Sequence, residues 1–122
     1  MYKVISLGDE QTPILTSAAT NVYYKQIFDE DALAAQSAGD MTVAQQVDFA
    51  QKLTFVAIQQ AKAQALVTNG KAVSVRDYMR TVNMDMYMDW LDSVDFGDIN
   101  DASGEVMQAY IGGSRSSSKA KK

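Results

Sequence analysis

The rhythm of apolar and polar positions changes once along this chain, near residue 29. Before that point it is mostly alternating. In residues 2–7, Tyr2, Val4 and Ser6 share one face and Lys3, Ile5 and Leu7 the other. Alternation with β-branched and aromatic content predicts a strand. Gly8, Asp9 and Glu10 read as a turn. Pro13 is the only proline. It cannot donate to a sheet ladder, so Ile14 and Leu15 read as an edge strand or a connector. Small polar residues at 17–21 then lead into 22–28, where Val22, Tyr24, Gln26 and Phe28 alternate with Tyr23, Lys25 and Ile27. That pattern predicts a second strand over about 22–28.

After residue 29 the spacing is helical. Asp29 or Asp31 is placed to cap a short helix through about residue 37 that carries Leu33. Gly39 and Asp40 break it. Thr42, with Gln45 three residues on, spells a capping box. It predicts a long helix over about 41–68, roughly 39 Å at about 1.5 Å per residue. The apolar stripe of this helix is Val43, Val47, Ala50, Leu53, Ala57 and Ala61, widened by Phe49 and Val56. Asn69 and Gly70 end it. Ser74, with Asp77 three residues on, opens the next helix, whose apolar positions run from Val75 through Met79, Val82, Met86 and Trp90 to about Val94. Val82 and Asn83 leave room for a break into two. Asp95, Phe96 and Gly97 read as a turn, Asp98 as the cap of a last helix, and Gly112-Gly113 as its stop. Residues 113–122 are basic and Ser-rich and are expected to be disordered.

The fold class expected is α+β. A small N-terminal antiparallel β-sheet or hairpin precedes a bundle of four to five helices, in one domain over 1–112. Phe28, Leu33, Val47, Leu53, Val82, Met86 and Trp90 are its expected core.

Composition narrows the chemistry. The 122 residues contain no cysteine and no histidine. Thiolate chemistry, cysteine metal sites and the commonest general base are excluded. Only generic Ser/Lys or carboxylate pairs remain, so no enzyme and no cofactor is expected. The net charge of −4 is uneven. Arg115, Lys119, Lys121 and Lys122 lie in the last ten residues, leaving seven basic and fifteen acidic residues, a net charge of −8, for the body. Such a body repels phosphate backbones, so nucleic acid is not an expected partner. No run approaches the ~20 apolar residues of a membrane span. Val4, Ile5 and Leu7 are too scattered for a signal peptide. A cytoplasmic protein is the expectation.

Three motifs fail on inspection. Asp85, Asp89 and Asp92 share a helical face and are followed by Asp95, Asp98 and Asp101, but no frame supplies the spacing of a calcium loop. The run reads as a solvated face. Asp95-Phe96-Gly97 lacks every other kinase element. Gly70-Lys71 lacks the rest of a phosphate loop. The methionines carry more. Met79, Met84, Met86 and Met88 lie within ten residues, beside Tyr78, Tyr87 and Trp90. Met79, Met86 and Trp90 fill one stripe and read as core. Met84, Met88 and Leu91 fall on another face. Methionine suits surfaces that accept variable apolar segments. Met84, Tyr87, Met88 and Leu91 are therefore the candidate surface for a client or for self-association into a homo-oligomer.

The order of these segments resembles a known family. MYKVISLGDE is followed by TPILTSAAT, by VYYKQIFDEDAL, and by a helical remainder containing MDWLDSVDF. This resembles the short tail assembly chaperones of long-tailed phages and prophages of Gram-positive bacteria. The match is closest over 17–33, at Tyr24, Lys25, Gln26, Phe28, Asp31 and Leu33. In that family this segment is a strand entering the first helix, and the basic position is often Arg where this chain has Lys25. The resemblance implies a non-enzyme that holds the long helical tape measure protein soluble while tail tube protein assembles on it. It implies a host-cytoplasmic location and absence from the mature virion. It also implies a long form, made by a programmed frameshift near the end of the short gene, that meets the tail tube protein. Two rival readings share the size and class: a structural tail completion or head–tail connector protein of the virion, and a regulator that binds nucleic acid or a host protein. The acidic body argues against the regulator. If a long form exists, sequencing downstream finds an overlapping reading frame near the end of this one, and a gene without one removes the frameshift.

Overall fold

Helix α2, Val43–Thr68, runs through the middle of the protein, and the other elements cover it. The computed structural model describes residues 1–31 and 42–120, without the side chains of 112–120. Among these residues the order is β1 (Tyr2–Leu7), β2 (Glu10–Leu15), α1 (Thr20–Phe28), α2, α3 (Val75–Met79), α4 (Met84–Ser93) and α5 (Phe96–Ala120). The class is α+β, a two-stranded antiparallel hairpin followed by helices, one of them long. The expected short helix ending near residue 37, and Leu33 with it, lie outside the described residues.

The hairpin closes through a two-residue loop, with Leu7 opposite Glu10. Gly8 carries a φ of 64° in that loop, a conformation glycine adopts without steric cost. Its absent Cβ matters too, because the nearest Asp98 carboxylate oxygen would sit only 2.7 Å from it. The pairing of Ile5 with Thr12 and Lys3 with Ile14 puts Ile5 and Ile14 on one face. Both are buried, whereas Tyr2 and Val4 on the other face are exposed. Strand β2 lies on α2, and β1 lies on α5.

The second strand is β2 and not residues 22–28. Those residues belong to α1, which buries Thr20, Tyr23, Tyr24, Ile27 and Phe28. The intervals 20, 23, 24, 27 and 28 are a helical stripe as legitimately as 22, 24, 26 and 28 are a strand face. Burial against α2 decides between them. Asp29 then ends a helix instead of starting one. It takes a left-handed φ of 55°, and its backbone N–H donates to Lys25 O at 2.7 Å.

Caps set the remaining boundaries. Thr42 Oγ1 accepts from Gln45 N at 3.1 Å, and Gln45 Oε1 accepts from Thr42 N at 2.9 Å, which completes the capping box. Ser74 Oγ accepts from Asp77 N to start α3. The break at Val82-Asn83 is present, and Asn83 Oδ1 accepts from Met86 N at 3.0 Å to start α4. Helix α5 begins at Phe96, and its cap lies three residues before the expected cap at Asp98. Asp95 Oδ2 accepts from Gly97 N at 3.1 Å and takes the capping role. This helix also continues to Ala120, past Gly112-Gly113 and through residues expected to be disordered. Glycine lacks a helix-breaking ring and costs only about 1 kcal/mol relative to alanine in a helix interior.

The core gathers along α2. Leu53, Phe55, Val56 and Ala57 are completely buried, and Met79, Val82 and Val106 join them in one cluster. Phe28 belongs to the same cluster. Met86 and Trp90 are partly buried and pack against it. Val47 lies outside the core: it is partly exposed, and Val43 one turn earlier is exposed. A 26-residue helix outreaches the nine residues of α1 and the six-residue strands that lie on it. Phe55→Ala should lower stability by about 3–5 kcal/mol through cavity formation, and Val22→Ala on the exposed face of α1 by less than about 0.5 kcal/mol. Urea unfolding of the two variants checks both.

Candidate functional site

Six rings meet where α1, α2 and α4 converge. Tyr24 contacts Phe28 and Phe49, with centroids 5.2 and 5.6 Å apart. Tyr87 stands edge-on to Phe28 at 4.9 Å and to Phe55 at 5.3 Å. Trp90 lies 5.6 Å from Phe55. Tilted and edge-on pairs at these distances each contribute about 0.5–1.5 kcal/mol beyond the area they bury. Tyr87 is 3% exposed. It is therefore a core ring, which corrects its assignment to the candidate surface. Trp90 and Leu91, three and four residues on, flank it on the same side of α4, so the face it occupies is the one turned to α2.

A charged group closes one side of the ring cluster. Lys52 Nζ donates to both carboxylate oxygens of Glu30, at 3.1 and 2.9 Å, and pairs with Asp48 Oδ2 at 2.9 Å. It also lies 5.4 Å from the centroid of Phe28, over the ring. Glu30 in turn accepts from the Tyr24 hydroxyl at 3.4 Å. Sequence reading missed this cluster. The Asp48–Lys52 spacing of four was visible, but Glu30 joins from another element, and only the tertiary structure brings it in.

The other buried polar groups are held between elements. Thr20 Oγ1 donates to Gln60 Oε1 at 2.7 Å, Gln60 Nε2 donates to Ser17 Oγ at 3.2 Å, and Thr20 Oγ1 accepts from Ser17 N at 2.9 Å. Tyr78 donates to Gln59 Oε1 at 2.7 Å. Gln26 Nε2 donates to Met79 O at 3.0 Å and ties α1 to α3. No buried side-chain nitrogen or oxygen among the described residues lacks a partner. These contacts connect helices, and a satisfied network of this kind holds them in one arrangement. Among the described residues no acidic cluster could hold a metal ion, and no helix is long and apolar enough to cross a membrane.

One apolar surface left open to a partner is the shoulder of α4. Met84 is 41% exposed and Met88 49%. They are one turn apart, and Leu91, partly buried, continues their line. At about 100° per residue, Asp92 and Asp85 come next around the helix, and Asp89 follows. All three aspartates are exposed. Helix α4 thus divides into a side turned to the core (Tyr87, with Trp90 and Leu91 partly buried), an exposed apolar shoulder (Met84 and Met88, with Leu91 at its edge) and an acidic ridge. Comparison with protein-family models, with curated proteins and with solved structures finds no match for this chain.

Titration of the ring and ion cluster gives a stability signature. Burial, then the charges of Glu30 and Asp48, push the Tyr24 phenol well above its ordinary 10.0. Burial, then Asp48 and Glu30, do the same for Tyr87. For Lys52, burial opposes the ammonium, but hydrogen bonds to Asp48 and Glu30 outweigh it and hold the pKa above 10.5. In all three cases the folded state keeps a proton that the unfolded chain gives up. Stability from these groups is therefore full below about pH 10 and declines as pH rises beyond it. Urea midpoints should be flat from about pH 7 to 9 and fall from about pH 10, with a shallower fall in Tyr24→Phe/Tyr87→Phe.

Proposed function

We propose that this protein is a tail assembly chaperone that binds the tape measure protein, keeps it soluble and promotes tail tube assembly. The observation that carries the reading is the pair of exposed methionines, Met84 and Met88, on a helix whose other side is locked into the core. A flexible, polarisable apolar surface on a rigid support takes up apolar helical segments by helix-in-groove contacts, and it tolerates variation in their side chains. The acidic body, at a net charge of −8 outside the last ten residues, keeps such a complex in solution. The order of segments described above agrees with this reading, although the segment most similar to the family, at Tyr24 to Phe28, is helical here.

Binding to the tape measure protein requires no catalytic group. The partners are the tape measure protein and, through a frameshifted long form, the tail tube protein. The site of action is the host cytoplasm before the virion is complete. Coexpression with the tape measure protein of the same genome should raise its soluble yield at least about threefold, and the two proteins should copurify. No gain and no copurification overturn the reading. Stoichiometric presence of this protein in purified particles would instead favour a structural part of the virion.

A further inference from the structure

Resting on that reading, we propose that the α4 shoulder selects a basic amphipathic helix: one whose apolar residues seat on Met84, Met88 and Leu91 and whose Lys or Arg residues flank them over Asp85 and Asp92. Helix α4 spells MDMYMDWLDS, with three aspartates and no basic residue. Among the described ion pairs none involves Asp85, Asp89 or Asp92. The ridge therefore stands uncompensated beside the apolar shoulder. Asp92 lies in the last turn of α4, where the helix dipole adds negative potential.

The dimensions fit one helix. From Met84 to Leu91 is seven residue steps, about 10.5 Å along the axis. Apolar side chains at i, i+3 or i+4, and i+7 of a partner helix cover the same length.

Charge decides which helix. An acidic or neutral apolar helix gains only the methionine contacts, and an acidic one meets repulsion from the ridge. A second copy of this chain is disfavoured on the same ground. An isologous contact would set the ridge against its own copy.

The test uses the full chain and two labelled 18-residue amphipathic peptides with the same leucine face, one flanked by Lys and Arg and the other by Glu. Fluorescence anisotropy at about 50 mM salt should show the basic peptide binding at least about tenfold tighter, and the gap should narrow at about 500 mM salt as screening grows. Asp85→Asn/Asp92→Asn should remove most of the preference. Met84→Ser/Met88→Ser should weaken both peptides, with an unchanged unfolding midpoint, since both side chains are exposed. Equal affinities, no binding, or a preference that survives the asparagine variant overturns the proposal. So does a self-associated chain that Met84→Ser/Met88→Ser turns monomeric in sedimentation, because the shoulder is then a self-interface. Copurification of the tape measure protein that Met84→Ser/Met88→Ser leaves intact overturns this inference but not the proposed function. Peptide selectivity without copurification does the reverse.

Discussion

Between Lys52 and Ala61, helix α2 is buried on almost every side, and this constraint organises the protein. A helix of ordinary amphipathic pattern needs cover on one stripe. Here Leu53, Phe55, Val56 and Ala57 are consecutive or nearly so and point in all directions, and each is fully buried. A single partner helix cannot cover them. Strand β2, α1, α3 and α5 each lie against α2 and divide its circumference among them. Strand β1 is then held from both sides, by β2 through the ladder and by α5 across its face. A two-stranded hairpin is marginal alone and needs such a helix layer to persist.

Burying a helix all round also buries its polar residues, and the structure answers each one. Lys52 meets Glu30 and Asp48. Gln60 meets Thr20 and Ser17. Gln59 meets the Tyr78 hydroxyl. The Thr54 hydroxyl bonds to Ala50 O at 2.7 Å and lies within hydrogen-bond distance of Ser103. Apart from Lys52–Asp48 and Thr54–Ala50, which lie within α2, these contacts join it to α1 and its flanks (Ser17, Thr20, Glu30), to α3 (Tyr78) and to α5 (Ser103). The polar groups thus specify which neighbour occupies which sector, a choice that apolar contacts leave loose. Lys52 is the costliest of these groups to bury, and it has the most partners.

That division of labour explains where a partner surface is available. Most large apolar side chains are committed to covering α2. Helix α4 commits only Tyr87 and, in part, Met86, Trp90 and Leu91. Its methionines at 84 and 88 are surplus to the fold, and an apolar residue surplus to the fold and placed beside a charged ridge is what a selective docking surface requires.

Much of this was legible from residue order alone. The first strand, the capping box at Thr42, the cap at Ser74, the break at Val82-Asn83, the long helix ending at residue 68 and the exposed pair Met84 and Met88 all follow from local rules, because cap hydrogen bonds and side-chain periodicity are settled within one or two turns. What the chain alone did not determine lies where two local readings were equally good or where distant residues meet. Residues 22–28 satisfy both periods, and only the need to bury Tyr24 and Phe28 against α2 makes them a helix. Tyr87 sits beside the exposed Met88 and three residues from the exposed Met84, and the rings of Phe28 and Phe55 draw it inward. Glu30 reaches Lys52 across 22 residues, a pairing that no periodicity announces, since it depends on how α1 and α2 are placed in space.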